Sequence, residues 1–246
     1  MKQLKNDSSN HLNTVDIHIN STFLHLLQIH DSAFPIGNYT HSYGMETFIQ
    51  ENRIHTKEHL LEFCKTFLKH NLAYGDAIFI QEAYKETEKR DMNALLSLDE
   101  LCGAVKLAKE SREASINVGK QFMRTILPLH EYPLLSDWQA HIKSGKAKGH
   151  YAIVFGIFCS LNNFDRDQAV MLHLYSTING LIQNAVRAVP FGQNTGVQVL
   201  HELLECISEV ANSVRGLTVQ DISNNALHIE LASMKHEYLF SRLFIS

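Results

Sequence analysis

Residues 171–214 read MLHLYSTINGLIQNAVRAVPFGQNTGVQVLHELLECISEVANSV and are the most informative part of the chain about its architecture. Apolar side chains recur every three or four residues in both halves: Met171, Leu174, Ile178, Leu181 and Ala185, then Val197, Leu200, Leu204, Ile207, Ala211 and Val214. This spacing places them on one face of an α-helix. Since Pro190 to Gly196 separate the halves, two long amphipathic helices joined by a turn are predicted.

The same spacing predicts shorter helices elsewhere. They are expected at residues 23–30, 39–51, from Thr56 onward, at 76–90 and at 133–142. Thr56 suits an N-cap, because its hydroxyl can accept a hydrogen bond from a free backbone amide of the first turn. Pro35 and Gly37 predict a turn between the first two helices, since proline disfavours a helical residue before it and glycine permits positive φ.

Two further segments carry specific expectations. Ser97 and Glu100 form the Ser-x-x-Glu pattern of a capping box, so one long helix is expected to follow as far as Leu127. The glycines at which this helix can break are Gly103 and Gly119. Residues 151–161 are apolar on every side, which predicts a helix buried all round, with a buried strand as the alternative that the pattern leaves open.

The fold class follows from these patterns. No stretch alternates for long with the period of two typical of strands, and no Asn-Gly or Asp-Gly hairpin signal occurs. An all-α, single-domain bundle of about nine or ten helices is therefore predicted for residues 21–246. Residues 1–20 are rich in Asn, Ser, Asp and Lys, and are expected to form a disordered polar tail.

Composition bears on location and partners. The formal net charge is -4, and the 22 Lys and Arg residues are scattered, so nucleic acid is not expected as a partner. The longest nearly apolar run, residues 151–159, is too short to cross a bilayer, and residues 1–20 lack the apolar core of a signal peptide. A cytoplasmic protein without a membrane partner is predicted. The four cysteines lie far apart and are expected to be buried thiols: Cys64, Cys102, Cys159 and Cys206.

The 15 histidines are the unusual feature of the composition. His55 and His59 stand four apart, so their imidazoles can meet on one helix face as metal ligands do. His25 and His30 are five apart and point in different directions on an ideal helix. Neither pair has a carboxylate at the Glu-x-x-His or His-Glu-x-x-His spacing of helical metal sites, so surface or capping roles are favoured. No metal site and no cofactor are predicted.

Motifs for catalysis are also missing from the sequence. There is no Gly-x-x-x-x-Gly-Lys-Ser/Thr loop to hold phosphates and no Gly-x-Ser-x-Gly elbow. His41 and Ser42 are neighbours, but adjacent helical residues diverge by about 100°, so they do not make a nucleophile and base. We therefore expect no catalytic centre.

The C-terminus, residues 232–246, reads ASMKHEYLFSRLFIS and is unusually apolar for a chain end. Two interpretations stay open at this point. The segment either docks on the protein's own core or serves as an anchor for a partner, since aromatic side chains with an arginine are typical of interface hot spots.

Three blocks of sequence together resemble the UreF family of urease accessory proteins. They are LLQIHDSAFPIGNYTHSYGME at residues 26–46, LYS with NAVRAVPFGQ at 174–176 and 184–193, and MKHE with SRLFIS at 234–237 and 241–246. They stand in the family's order, and the similarity extends from about residue 23 to the end of the chain. Tyr43 is a small departure, because phenylalanine is frequent there in the family.

The resemblance implies an all-α, dimerising protein that binds the accessory protein UreD, also called UreH. Through that complex it implies recruitment of the GTPase UreG to apo-urease, where GTP hydrolysis is linked to nickel insertion. The residues carried over as partner-binding are Tyr39, His41, Ser241, Arg242, Leu243 and Phe244. Gly37, Gly44 and Gly192 are assigned to backbone geometry, and Arg187, Gln193 and His236 can belong to either class.

Two alternatives of other classes remain beside the accessory protein. The histidines could serve a metal-dependent helical enzyme, or the chain could itself be a nickel-binding carrier. The lack of carboxylates at ligand spacing stands against the enzyme. An enzyme or a carrier retains stoichiometric metal, whereas a scaffold does not.

Overall fold

The computed structural model describes residues 21–31, 33–37 and 40–245. Within these ranges the chain forms eleven α-helices and no strand, which confirms the predicted all-α fold. The helices are α1 (Ser21–His30), α2 (Met45–Gln50), α3 (Lys57–Phe67), α4 (Asp76–Lys89), α5 (Met92–Val105), α6 (Lys109–Ile126), α7 (Pro133–Lys143), α8 (Tyr151–Leu161), α9 (Arg166–Ala188), α10 (Gln193–Val214) and α11 (Leu227–His236). The predicted disordered segment 1–20 lies outside the described residues.

Helix α8 forms the centre of the bundle. Residues 152–159 are all buried, and the helix packs most extensively against α4 and α6. Gly156 permits this closeness, since a Cβ there would lie 2.6 Å from the carbonyl oxygen of Ile80 and 2.8 Å from the Cβ of Ala83. A full side chain would push α4 away. The expectation of a helix buried on all sides is confirmed.

The long amphipathic stretch forms the helical hairpin α9 and α10. The two helices pack against each other, and their inward faces complete the core around α3 and α4. Thr56 caps α3 as predicted, because its hydroxyl accepts a hydrogen bond from the amide of His59 at 3.3 Å. A π-helical turn, Leu68–Leu72, extends α3. All four cysteines are buried and free, also as predicted.

The expectation of one long helix from Ser97 to Leu127 is wrong, because two helices cover these residues. Ser97 lies inside α5, which begins after Asp91 as N-cap and ends at Val105. The helical conformation is then interrupted before α6. Lys106 turns inward to pair with Asp76 at 2.7 Å, and the backbone amide of Ala108 donates to the buried carboxylate of Glu230. These partners lie far away in the sequence, so no local pattern marks the break.

The two glycines at which the sequence allows this helix to break lie inside α5 and α6 and serve close packing instead. Gly119 in α6 meets the backbone of Gly149, and a Cβ on Gly103 would lie 3.0 Å from the imidazole of His150. Both glycines therefore let the segment before α8 approach the helices. The helix expected at residues 39–51 is also shorter than predicted, with α2 beginning only at Met45.

Helices α2 and α11 pack together and present the chain's C-terminus to α6. The hydroxyl of Thr47 donates to the carbonyl oxygen of Ala232 at 2.8 Å. Gly44, just before α2, has a φ of 82°, and a Cβ there would lie 2.7 Å from the amide nitrogen of Ser233. Glycine is therefore required at position 44 both by the backbone conformation and by the closeness of α11.

Candidate functional site

The last nine described residues, 237–245, form a C-terminal tail that runs back along α2. The carbonyl oxygen of Ser241 accepts a hydrogen bond from the side-chain amide of Gln50 at 2.6 Å. Further on, the amide of Ile245 donates to the carbonyl oxygen of Thr40 at 2.9 Å. The tail is thus attached to the loop before α2 and to the last turn of that helix.

Glu46 holds the backbone of the tail. It lies in the first turn of α2 and its side chain is almost fully buried. One carboxylate oxygen accepts the amide of Leu243 at 2.6 Å, and the other accepts the amide of Phe244 at 3.1 Å. Hydrogen bonds to an ionised acceptor are about twice as strong as neutral ones. A single carboxylate therefore fixes two successive residues of the tail.

A second carboxylate, Glu110 in the first turn of α6, fixes the side chain of Arg242 at 2.7 Å. His236, the last residue of α11, lies between the two glutamates. Its Nε2 is 2.8 Å from Glu46 and its Nδ1 is 2.6 Å from Glu110. The imidazole has no accessible surface. Three helices and the tail therefore meet at one network of four ionisable side chains.

Phe244 is the one side chain at the end of the tail that turns inward. It is 6% exposed, and the guanidinium of Arg187 on α9 lies 5.5 Å from its ring centre. Arg187 contacts Asn184, whose side-chain amide donates to the carbonyl oxygen of His41 at 2.7 Å. The predicted site residues His41 and Phe244 thus lie in one neighbourhood.

The outer face of the tail is apolar and open to solvent. Four large side chains of this segment are exposed: Tyr238, Phe240, Leu243 and Ile245. Exposed single apolar residues are ordinary, but here four of them stand within eight residues of a tail whose backbone is held by hydrogen bonds. Tyr238 also lines a groove with Leu231 and Met234 of α11.

The predicted partner-binding residues divide into inward and outward groups. His41 is buried, and burial lowers the pKa of its imidazole to about 4, so it is neutral near neutral pH. Phe244 is buried too, whereas Ser241, Arg242 and Leu243 lie on the surface. Tyr39 lies outside the described residues.

Sequence reasoning missed the two glutamates that organise this site. Glu46 and Leu243 are separated by 197 residues, and Glu110 and Arg242 by 132. The only local signal is an acidic residue in the first turn of each helix. Acidic residues are common there because a negative charge interacts favourably with the helix dipole, so this signal does not indicate a site. The sequence alone does not decide between a structural and a partner-binding role for His236.

The histidine pair with ligand spacing does meet in space. The ring centres of His55 and His59 are 4.6 Å apart, and Nδ1 of His55 lies 2.9 Å from the carbonyl oxygen of Asn52. Across the described part of the chain, no group of three or more His, Cys, Asp or Glu side chains is placed to hold a metal ion. The same residues include no helix long and apolar enough to cross a membrane.

Comparison with known proteins places these observations in a family. A family model described as UreF matches residues 54–204. The chain is 43% identical to the urease accessory protein UreF of Sporosarcina pasteurii over 202 residues, which cover 82% of this chain and 100% of that protein. It is 36% identical to the protein of the same name from Lachnoclostridium phytofermentans over 223 residues, covering 91% of this chain and 98% of that one. This chain belongs to the UreF family of urease accessory proteins.

Proposed function

We propose that this protein is a non-catalytic adaptor in the maturation of urease. It binds UreD, also called UreH, and through that complex recruits or modulates the GTPase UreG for nickel insertion into apo-urease. It acts in the cytoplasm and as a homodimer within the complex. Family membership supports the role in urease maturation, and the partners follow from the resemblance of the three sequence blocks to the family.

The observation that carries the adaptor proposal is the ordered apolar face of the C-terminal tail. Tyr238, Phe240 and Leu243 are exposed although the backbone beside them is fixed. A surface that is already ordered loses little conformational entropy on binding, which favours recognition. Tyrosine and phenylalanine also supply large contact area with few rotatable bonds.

Helix α11 extends this apolar face. Leu227, Leu231 and Met234 are exposed at positions i, i+4 and i+7, so they form one stripe along the helix. The groove shared by Leu231, Met234 and Tyr238 is also lined by the charged side chains of Glu51, Arg53 and Lys235. A surface that combines apolar and charged side chains is the usual composition of a protein interface.

An adaptor role also agrees with the chemistry of the chain. The sequence has no loop for binding phosphates, so GTP hydrolysis in the complex is assigned to UreG. In the network of Glu46, Glu110, His236 and Arg242, each side chain has a partner within the chain, and these contacts hold the tail.

Restoration of urease activity tests the proposal in cells that contain urease and its other accessory proteins but lack this one. The variant Tyr238→Ala/Phe240→Ala removes two exposed rings of the tail, and Leu129→Ala, an exposed apolar residue after α6, is the matched control. We expect the control to restore activity fully and the tail variant to restore about a tenth of it or less. Full activity with the tail variant would show that the exposed rings of the tail are not needed for urease maturation.

A nickel carrier is the second candidate, favoured only by the adjacent rings of His55 and His59. Two imidazoles leave most of the coordination sphere of a divalent metal to water, so stoichiometric retention is not expected. Titration of the purified protein with nickel separates the candidates, because a carrier retains one metal per chain through gel filtration and an adaptor retains none.

A further inference from the structure

His236 occupies a position that its neighbours restrict chemically. Both ring nitrogens face carboxylate oxygens, at 2.8 Å from Glu46 and 2.6 Å from Glu110. An ionised carboxylate only accepts hydrogen bonds, and a neutral imidazole has one N–H donor and one lone pair. The two short contacts are therefore satisfied together only by an imidazolium, which carries two N–H donors.

The remaining contacts place the proton on the ring rather than on either glutamate. Glu46 also accepts two backbone amides, from Leu243 and Phe244. Glu110 also pairs with Arg242. Hydrogen bonds and a neighbouring positive charge both favour the ionised form of a carboxyl group. The network therefore consists of two carboxylates balanced by two cations, one of which is His236.

Loss of the charge on His236 has a consequence for the tail. The side chains of Glu46 and Glu110 are 6% and 12% exposed, so little water reaches them to screen their charges. Without the imidazolium, Glu46 is a buried carboxylate with no cationic partner in the network. The same carboxylate holds the amides of Leu243 and Phe244, so we expect the tail to loosen at these two residues when the network separates.

We propose that His236 is a positioning residue for partner recognition, acting as a charged bridge between Glu46 and Glu110. The bridge holds the tail so that Tyr238, Phe240 and Leu243 stay presented to a partner. His236 has no accessible surface and touches no partner itself. This inference rests on the proposed function, since it assigns the control of the same recognition surface.

Two further ion pairs surround the bridge without replacing it. Lys109 pairs with Glu237 at 3.2 Å, and Lys235 pairs with Glu51 at 3.0 Å. Both pairs lie at the surface, where water and salt screen the charges and weaken the interaction. Neither cation bonds to the carboxylate of Glu46 or Glu110 among the contacts of the described residues, so His236 is the group whose removal unbalances Glu46.

The test compares His236→Gln with His201→Gln, a control at an exposed position on α10, away from the tail and its groove. Amide hydrogen exchange at Leu243 and Phe244, followed by NMR, reports the tail, and exchange within α8 reports the core. We expect His236→Gln to accelerate exchange at both tail amides by about tenfold or more, leave α8 unchanged, and lower recovery of co-expressed UreD by a similar factor. His201→Gln should change none of these.

A measurement on the unaltered protein keeps the inference testable if His236→Gln does not fold. Nitrogen-15 NMR of the histidine rings near neutral pH should show both ring nitrogens of His236 bonded to hydrogen. A spectrum with one protonated nitrogen would overturn the charged bridge.

The two proposals fail in different ways. If Tyr238→Ala/Phe240→Ala retains full recovery of UreD, the tail is not the recognition surface and the proposed function loses its basis there. If that variant loses recovery but His236→Gln keeps normal tail exchange, or loosens the tail with undiminished recovery, the recognition surface stands and the positioning role of His236 is overturned.

Discussion

Acidification should destabilise this protein through its buried histidines, and His173 gives the sharpest case. Its side chain lies in the core between the rings of Tyr151 and Phe155, with ring centres 5.7 Å and 5.9 Å away. Neither ring nitrogen has a hydrogen-bond partner among the described residues. Burial lowers the pKa of the imidazole from 6.5 to about 4. The folded protein therefore contains a neutral His173 near neutral pH.

The sign of the effect follows from proton binding. Below pH 6.5 the unfolded chain protonates this histidine, whereas the folded protein does so only near pH 4. The stability present above pH 6.5 is therefore lost as the pH falls toward 4. Since each pH unit corresponds to about 1.4 kcal/mol per proton, His173 alone should lower the free energy of unfolding by about 3 kcal/mol over this window. His30 and His150, whose pKa values are also lowered by burial, add to the loss.

Urea unfolding at a series of pH values from 7 to 4 measures this effect. His173→Leu replaces the titrating group with an apolar side chain of similar size. Between pH 7 and pH 4, the free energy of unfolding of this variant should therefore fall by about 3 kcal/mol less than that of the unaltered protein. The control is His201→Gln, at an exposed position on α10, which should leave the pH dependence unchanged. Equal pH dependence of His173→Leu and the unaltered protein would show that protonation of His173 does not limit the stability of the fold in acid.

Further predictions concern packing, the tail, the histidine pair and nucleotide. Gly156→Ala should destabilise the protein by about 1 to 3 kcal/mol in urea unfolding, because the new methyl group meets the backbone of α4. Gly216→Ala is the control: a Cβ there meets no neighbouring atom, so the free energy of unfolding should change little. Arg242→Ala should lower UreD recovery but cost less than about 1 kcal/mol of stability, since its ion pair is partly exposed; a large drop in melting temperature would contradict this. His55→Ala/His59→Ala should preserve urease activation, and lost activation with normal folding would show a metal role. Calorimetry should detect no GTP binding by the isolated chain, and a saturable heat would contradict the absence of a phosphate site.

The helices that could be predicted from sequence are those whose signals are local. Apolar residues on every side of residues 151–161 require burial all round, and the structure places α8 at the centre. The N-cap at Thr56 and the hairpin of α9 and α10 were also predicted, because a capping hydroxyl and a regular apolar stripe act within a few turns of helix.

The break between α5 and α6 could not be predicted because distant residues cause it. Lys106 leaves the helical path to pair with Asp76, and Ala108 is capped by Glu230 from α11. Ser97 and Glu100 matched a capping box in a place where the chain was already helical. A local motif therefore gave the wrong boundary where tertiary contacts decided it.

The candidate site was predicted in composition but not in arrangement. The apolar residues and Arg242 stand out at the end of the chain, yet the sequence does not say which of them turn inward. Phe244 does so because Glu46 fixes its amide and Arg187 covers its ring, and these residues come from α2 and α9. Such contacts across the whole chain leave no periodic signal.

Recruitment of partners by the C-terminal tail is tested most directly by the mass of the complex purified when the tagged protein is co-expressed with UreD and UreG. We expect a complex containing both partners with the unaltered chain and with Leu129→Ala. With Tyr238→Ala/Phe240→Ala we expect about a tenth of that recovery or less, at an unchanged melting temperature. Undiminished recovery with the tail variant, or purification of the unaltered chain without either partner, would show that the tail does not recruit them.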